Sequence, residues 1–143
     1  MSFRFNPFTG NLDYSKAGGS APVAQTAKVI APFNTDALTL VGDLCVVSAS
    51  NTVTRITSNS SSEMPKGIFG IVYSKDTATT CEVLILGSQD GYSGFTVAGA
   101  LFVGTDGALT HSAPATGMVQ QVGFAITTGE IFLFPRQPFR RSA

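Results

Sequence analysis

The sequence predicts an all-β protein, a compact antiparallel β-sandwich or barrel with an extended N-terminal arm and a short C-terminal tail. Three observations lead there. Charged residues are only 13% of the chain, about half the usual share, small and β-branched residues are abundant, and no helical apolar period is sustained. Between Lys28 and Phe134, short runs of strand-forming residues recur, each bounded by Gly, Asp, Asn, Ser or Pro. The clearest run, Val119-Gln-Gln-Val-Gly-Phe-Ala-Ile-Thr-Thr-Gly-Glu-Ile-Phe-Leu-Phe-Pro135, reads as two strands and a turn. A chain of 143 residues suits one domain with a core, and is short for two.

Residues 1–26 read as the arm. Phe3, Phe5 and Phe8 crowd its start, while Pro7, Thr9-Gly-Asn11 and Gly18-Gly-Ser-Ala-Pro22 interrupt any regular ladder. Three phenylalanines in eight residues are unlike a solvated linker, because each gains about 1.5–3 kcal/mol on full burial. Such an arm docks, either back on its own domain or on another subunit.

The β domain is expected over residues 27–135. Its candidate strands are Val29-Ile-Ala31, Thr39-Leu-Val41, Leu44-Cys-Val-Val47, residues 52–57, 67–73 and 81–86, Gly94-Phe-Thr-Val97 and Ala100-Leu-Phe-Val103. In the hairpin, the two-residue period of a strand puts Val122, Phe124 and Ile126 on one face, with Ile131 and Leu133 opposite them. Phe124 is thereby expected in the core. Phe132 and Phe134 take the other face of the second strand, so both faces are apolar and each needs a cover. One cover is the rest of the chain; the second is expected to be a neighbouring subunit.

The tail, residues 136–143, holds Arg136, Arg140 and Arg141 beside Phe139. Its two readings are a solvated end and an interface anchor, since guanidinium pairs with carboxylates and stacks on rings. The expected interface residues are therefore Phe3, Phe5, Phe8, Tyr14, Phe124, Phe132, Phe134, Phe139, Arg140 and Arg141.

Composition also excludes. Nine basic and nine acidic residues cancel, so no net field draws the chain to nucleic acid or to an anionic membrane. No apolar run is long enough to span a bilayer, and residues 1–8 lack the apolar segment of a secretory signal, which together point to folding in the cytosol of the producing cell. Cys45 and Cys81 sit in apolar strand-like runs and read as buried free thiols, with a cross-strand disulfide as the alternative. His111, the single histidine, reads as an exposed loop residue. With no Gly-x-Ser-x-Gly elbow, metal motif or phosphate loop, no enzyme, cofactor or metal site is expected. Asp106 in Gly104-Thr-Asp-Gly107 is better explained by a turn than by calcium. Asn59-Ser-Ser61 spells a glycosylation acceptor inside a polar loop and no more than that.

Several stretches resemble virion proteins of tailed bacteriophages. Phe5-Asn-Pro-Phe-Thr-Gly-Asn-Leu-Asp-Tyr14 resembles an N-terminal motif of small phage structural proteins. Val41-Gly-Asp-Leu-Cys-Val46, Met64-Pro-Lys-Gly-Ile-Phe-Gly-Ile71, residues 97–109 and Gln121-Val-Gly-Phe-Ala-Ile126 resemble small β-rich head decoration, cement and fibre-base proteins. The resemblance implies a homotrimer that binds the major capsid protein or another virion subunit, located in the virion and assembled in the host cytoplasm. The long arm and basic tail depart from the most compact decoration proteins. That departure keeps open a fibre-base or tail-adaptor role, or host recognition in which Tyr73 and Tyr92 would contact a carbohydrate.

Overall fold

In a computed structural model of the protein, the described residues are 2–6, 11–15, 28–57 and 67–142. They form strands and turns, with no helix among them. The strands are β1 (Ser2–Asn6), β2 (Asn11–Ser15), β3 (Val29–Asn34), β4 (Leu44–Ala49), β5 (Thr52–Arg55), β6 (Gly70–Thr77), β7 (Thr80–Gln89), β8 (Ala100–Val103), β9 (Leu109–Thr110), β10 (Gly117–Val119), β11 (Gln121–Ala125), β12 (Ile131–Leu133) and β13 (Phe139–Arg141).

Nine strands make one sheet, in the order β3-β5-β4-β6-β7-β12-β11-β8-β9. Because β3 also pairs along its length with β7, from Val29↔Leu86 to Asn34↔Thr80, strands β3 to β7 close into a barrel. The other four strands continue the sheet outward from β7. All pairings are antiparallel except one bridge, Asn34 with Thr52, where β3 meets β5 side by side. Closure removes the free edge that β3 would otherwise present, while β9 remains an edge strand.

Two-sided burial follows from strand alternation. Leu44, Ile71 and Leu84 enter a large cluster with Leu101, Val103, Val122, Ala125, Ile131 and Leu133. Their chain neighbours Cys45, Val72 and Val83 enter a second cluster with Val53 and Cys81, against Phe33 and Phe69. The apolar runs of β4, β6 and β7 are thus explained, since Leu44–Cys45, Gly70–Val72 and Val83–Leu84 are covered on both faces.

Two expected strands are loops instead. Residues 39–41 lie in a turn, because the Asp36 carboxylate accepts hydrogen bonds from the Leu38 and Thr39 amides and from the Thr39 hydroxyl at 3.1, 2.8 and 2.7 Å. Those contacts compete with a ladder and hold the Asp36 carboxyl below its usual range, the Thr39 hydroxyl contributing most. Lys75 Nζ then ties the turn to β6 by donating to the Asp36 and Thr39 carbonyls at 2.8 and 2.6 Å. Residues 94–97 are also irregular, and their backbone is bound to the hairpin turn through Phe95 N–H to Thr128 O at 3.1 Å.

Two short strands form within the N-terminal segment. Ser2–Asn6 and Asn11–Ser15 pair as an antiparallel ladder that sets Phe3 opposite Tyr14 and Phe5 opposite Leu12. Phe8, the Gly18-Gly19 link and the polar loop at Asn59 lie outside the described residues. In the tail, β13 pairs with β10, Val119 opposite Phe139 and Gly117 opposite Arg141, and its three residues stay exposed.

Candidate functional site

The hairpin forms where expected, but its faces differ. Its register sets Gly123 opposite Leu133, Phe124 opposite Phe132 and Ala125 opposite Ile131. A bulge between Gln121 and Gly123, where β11 passes β8, inserts Val122 as an extra residue. The extra residue flips the alternation. Val122 and Ala125, three apart, both point into the core, and Phe124 is turned out with 38% of its surface exposed. The assignment of Phe124 to the face of Val122, Ile131 and Leu133 is therefore corrected.

The outcome is an outward aromatic face. Phe124 stacks on Phe132 with ring centroids 5.8 Å apart, and meets Phe134 edge-on at 6.3 Å. The Arg136 guanidinium lies over the Phe134 ring at 5.3 Å. Phe132 and Phe134 are half-buried. Three rings held rigid by a ladder offer contact area at small entropic cost, as aromatic anchors of interfaces do. Further along the chain, Phe139 is 58% exposed, and Arg140 and Arg141 are exposed, with Arg141 Nη1 donating to the Pro114 carbonyl at 3.4 Å.

Gln120, which the sequence reading did not single out, fastens this region. Buried to 2%, it accepts from the Ile68 amide at 2.7 Å and donates to the Arg136 carbonyl at 2.6 Å. It joins segments 52 and 16 residues away. Only a fold shows such a clamp, since a lone glutamine before a strand carries no signal.

A cavity of about 510 Å³ opens between the turn at 41–43, the loop at 89–95 and the β8–β9 turn at 106–109. Asp43, Asp90 and Asp106 line it together with Tyr92 and Phe95, and no Lys, Arg or His among the described residues does. Tyr92 Oη donates to the Gly42 carbonyl at 3.1 Å, and burial, then the nearby Asp43 carboxylate, pushes its ionisation well above the usual range. Asp106 and Gly107 both take positive φ, 51° and 74°, which gives the turn expected of Gly104-Thr-Asp-Gly107. No three His, Cys, Asp or Glu side chains among the described residues are grouped to hold a metal ion. Tyr73 is absent from the lining and instead packs under Lys28 Nζ, 4.8 Å from its ring centre, so the two tyrosines are not brought together.

His111 is half-buried, not an exposed loop residue. Its Nε2 accepts from the Thr96 amide at 2.9 Å, its Nδ1 lies 2.9 Å from the Ala100 carbonyl, and Phe95 contacts it edge-on at 5.4 Å. An accepting Nε2 leaves the proton on Nδ1, which donates to Ala100, so the ring acts as a clasp between two loops.

Cys45 and Cys81 are free and buried in the second cluster. Burial, and to a smaller degree the neighbouring Cys81, raises the Cys45 thiol to about 12 from 9.0. Below pH 9 both folded and unfolded chains keep this proton. As pH rises from about 9 to about 12 the unfolded chain loses it first, so folding stability falls, by up to ~1.4 kcal/mol per pH unit from this one group. Urea unfolding across that window should therefore show a shallower decline for Cys45→Ala than for the unsubstituted protein; parallel curves would remove Cys45 as the cause.

Comparison with protein-family models, with curated proteins and with solved structures found no match to this chain.

Proposed function

We propose that the protein is a tailed-phage virion structural protein, a decoration or cement protein that binds the capsid surface as a homotrimer and stabilises it. The observation that carries this reading is the outward aromatic face of Phe124, Phe132 and Phe134 on a closed, low-charge β framework. A ladder with one face in the core and rings on the other is suited to permanent assembly, where interfaces resemble a core cut in half. The sequence resemblance at Phe5 to Tyr14 and along residues 36–134 points the same way, and the N-terminal segment with Phe3, Phe5 and Phe8 is assigned to the contact with a neighbouring virion subunit.

Quantifying the protein in purified particles tests this directly. Many copies per head are expected, and absence from particles overturns the reading. Two variants then locate the contact. Deleting residues 1–16 should leave a folded protein and sharply lower occupancy, and Phe124→Ser should lower occupancy with little change in melting temperature. Full occupancy in both would move attachment to another surface.

A further inference from the structure

The acidic cavity and the basic tail are opposite in charge and lie on separate parts of one neutral chain. We propose that the cavity bounded by Asp43, Asp90 and Asp106 receives the Arg140 guanidinium from a second copy of this chain, joining copies head to tail.

Three features of the cavity support this. Asp43, Asp90 and Asp106 place three carboxylates around a cavity with no basic residue in its lining among the described residues. Gln89 lines the same cavity at only 5% exposure, with Nε2 donating to the Val72 carbonyl at 3.3 Å; its Oε1 is buried without a hydrogen-bond partner among the described residues, and a small turn of the side chain would bring it to a donor in the cavity. A buried acceptor of this kind calls for a donor, and guanidinium supplies five in a planar fork. Tyr92 and Phe95, with ring centroids 5.6 Å apart, add aromatic walls of the sort on which guanidinium stacks.

The rim matches the tail as well. Leu40 and Val41, each 56% exposed, stand beside the cavity, and Phe139, 58% exposed, stands beside Arg140 in β13. The Arg140 side chain is exposed and makes no hydrogen bond or ion pair among the described residues, so its guanidinium is available while its backbone stays in the ladder. No residue of β10, β13 or the segment between β12 and β13 lines the cavity, and β13 is held to β10 by its ladder. The arginine that enters therefore comes from another molecule. A contact between two different patches is heterologous, and closes into a ring when the rotation allows. The ring size of three rests on the reading under Proposed function; the contact itself does not.

The test uses the full chain and light scattering. A cavity variant, Asp90→Lys with Asp106→Asn, and a tail variant, Arg140→Glu, are first shown by circular dichroism to keep the β spectrum. The unsubstituted protein should be a trimer, and each variant alone should associate at least about 30-fold more weakly. Mixing the two variants should give a one-to-one dimer, because the intact tail of the first meets the intact cavity of the second. Where charge reversal disturbs folding, Asp90→Asn with Asp106→Asn and Arg140→Gln take their place, with the same expectation.

A monomeric unsubstituted protein, variants that assemble normally, or a mixture without the dimer each overturns the proposal. So does a monomer whose cavity resonances shift with a monosaccharide or an unrelated basic peptide, which would assign the cavity to a foreign partner. Particle occupancy is read separately: a monomer that still coats heads defeats this contact and leaves the virion reading standing.

Discussion

Leu133→Ala should destabilise the protein by about 2–5 kcal/mol, whereas Phe124→Ala, at the partner-strand position beside it in the same hairpin, should cost only about 1 kcal/mol. Leu133 is fully buried and packs in the large cluster with Leu101, Val122 and Ile131, so its truncation leaves a cavity that the close-packed neighbours fill only in part. Phe124 loses its stacking on Phe132 but was already 38% exposed. Urea unfolding of both variants decides the matter. A larger loss for Phe124→Ala would mean that the bulge at Gln121 and Gly123 is absent and that the alternation runs unbroken.

Gly123→Ala should be almost as damaging, at about 2–4 kcal/mol, although it adds one methyl group. A Cβ at Gly123 would overlap the Phe132 carbonyl oxygen, which belongs to the partner strand and cannot move without opening the ladder. Gly94→Ala is the control. Gly94 has φ of 78° and nothing within 4 Å of a Cβ, so alanine there meets backbone strain alone, about 1 kcal/mol. Equal losses at the two sites in thermal unfolding would show that the close approach at Gly123 is not what limits the position.

Much of the framework was legible in the residues. The runs at Val29, Leu44, Thr52, Cys81 and Ala100 became strands β3, β4, β5, β7 and β8, because β-branched and apolar side chains bounded by turn residues state a strand locally. The turn at Thr127 was equally local: its hydroxyl accepts from the Gly129 and Glu130 amides at 3.2 and 3.0 Å. Free cysteines in apolar runs followed from the same kind of reasoning.

What sequence alone determined, then, is that the chain makes short strands and turns, and that the hairpin at residues 119–135 has apolar groups on both sides. The tertiary structure decided which side is which. One inserted residue, Val122, exchanges the faces of everything after it in β11, and its insertion depends on the pairing with β8, about twenty residues away. Closure of the barrel by β3 and β7, the Gln120 clamp, the pairing of the tail with β10 and the gathering of Asp43, Asp90 and Asp106 around one cavity are long-range as well. Each depends on residues far apart in the chain whose individual propensities are silent about one another, so only packing brings them together.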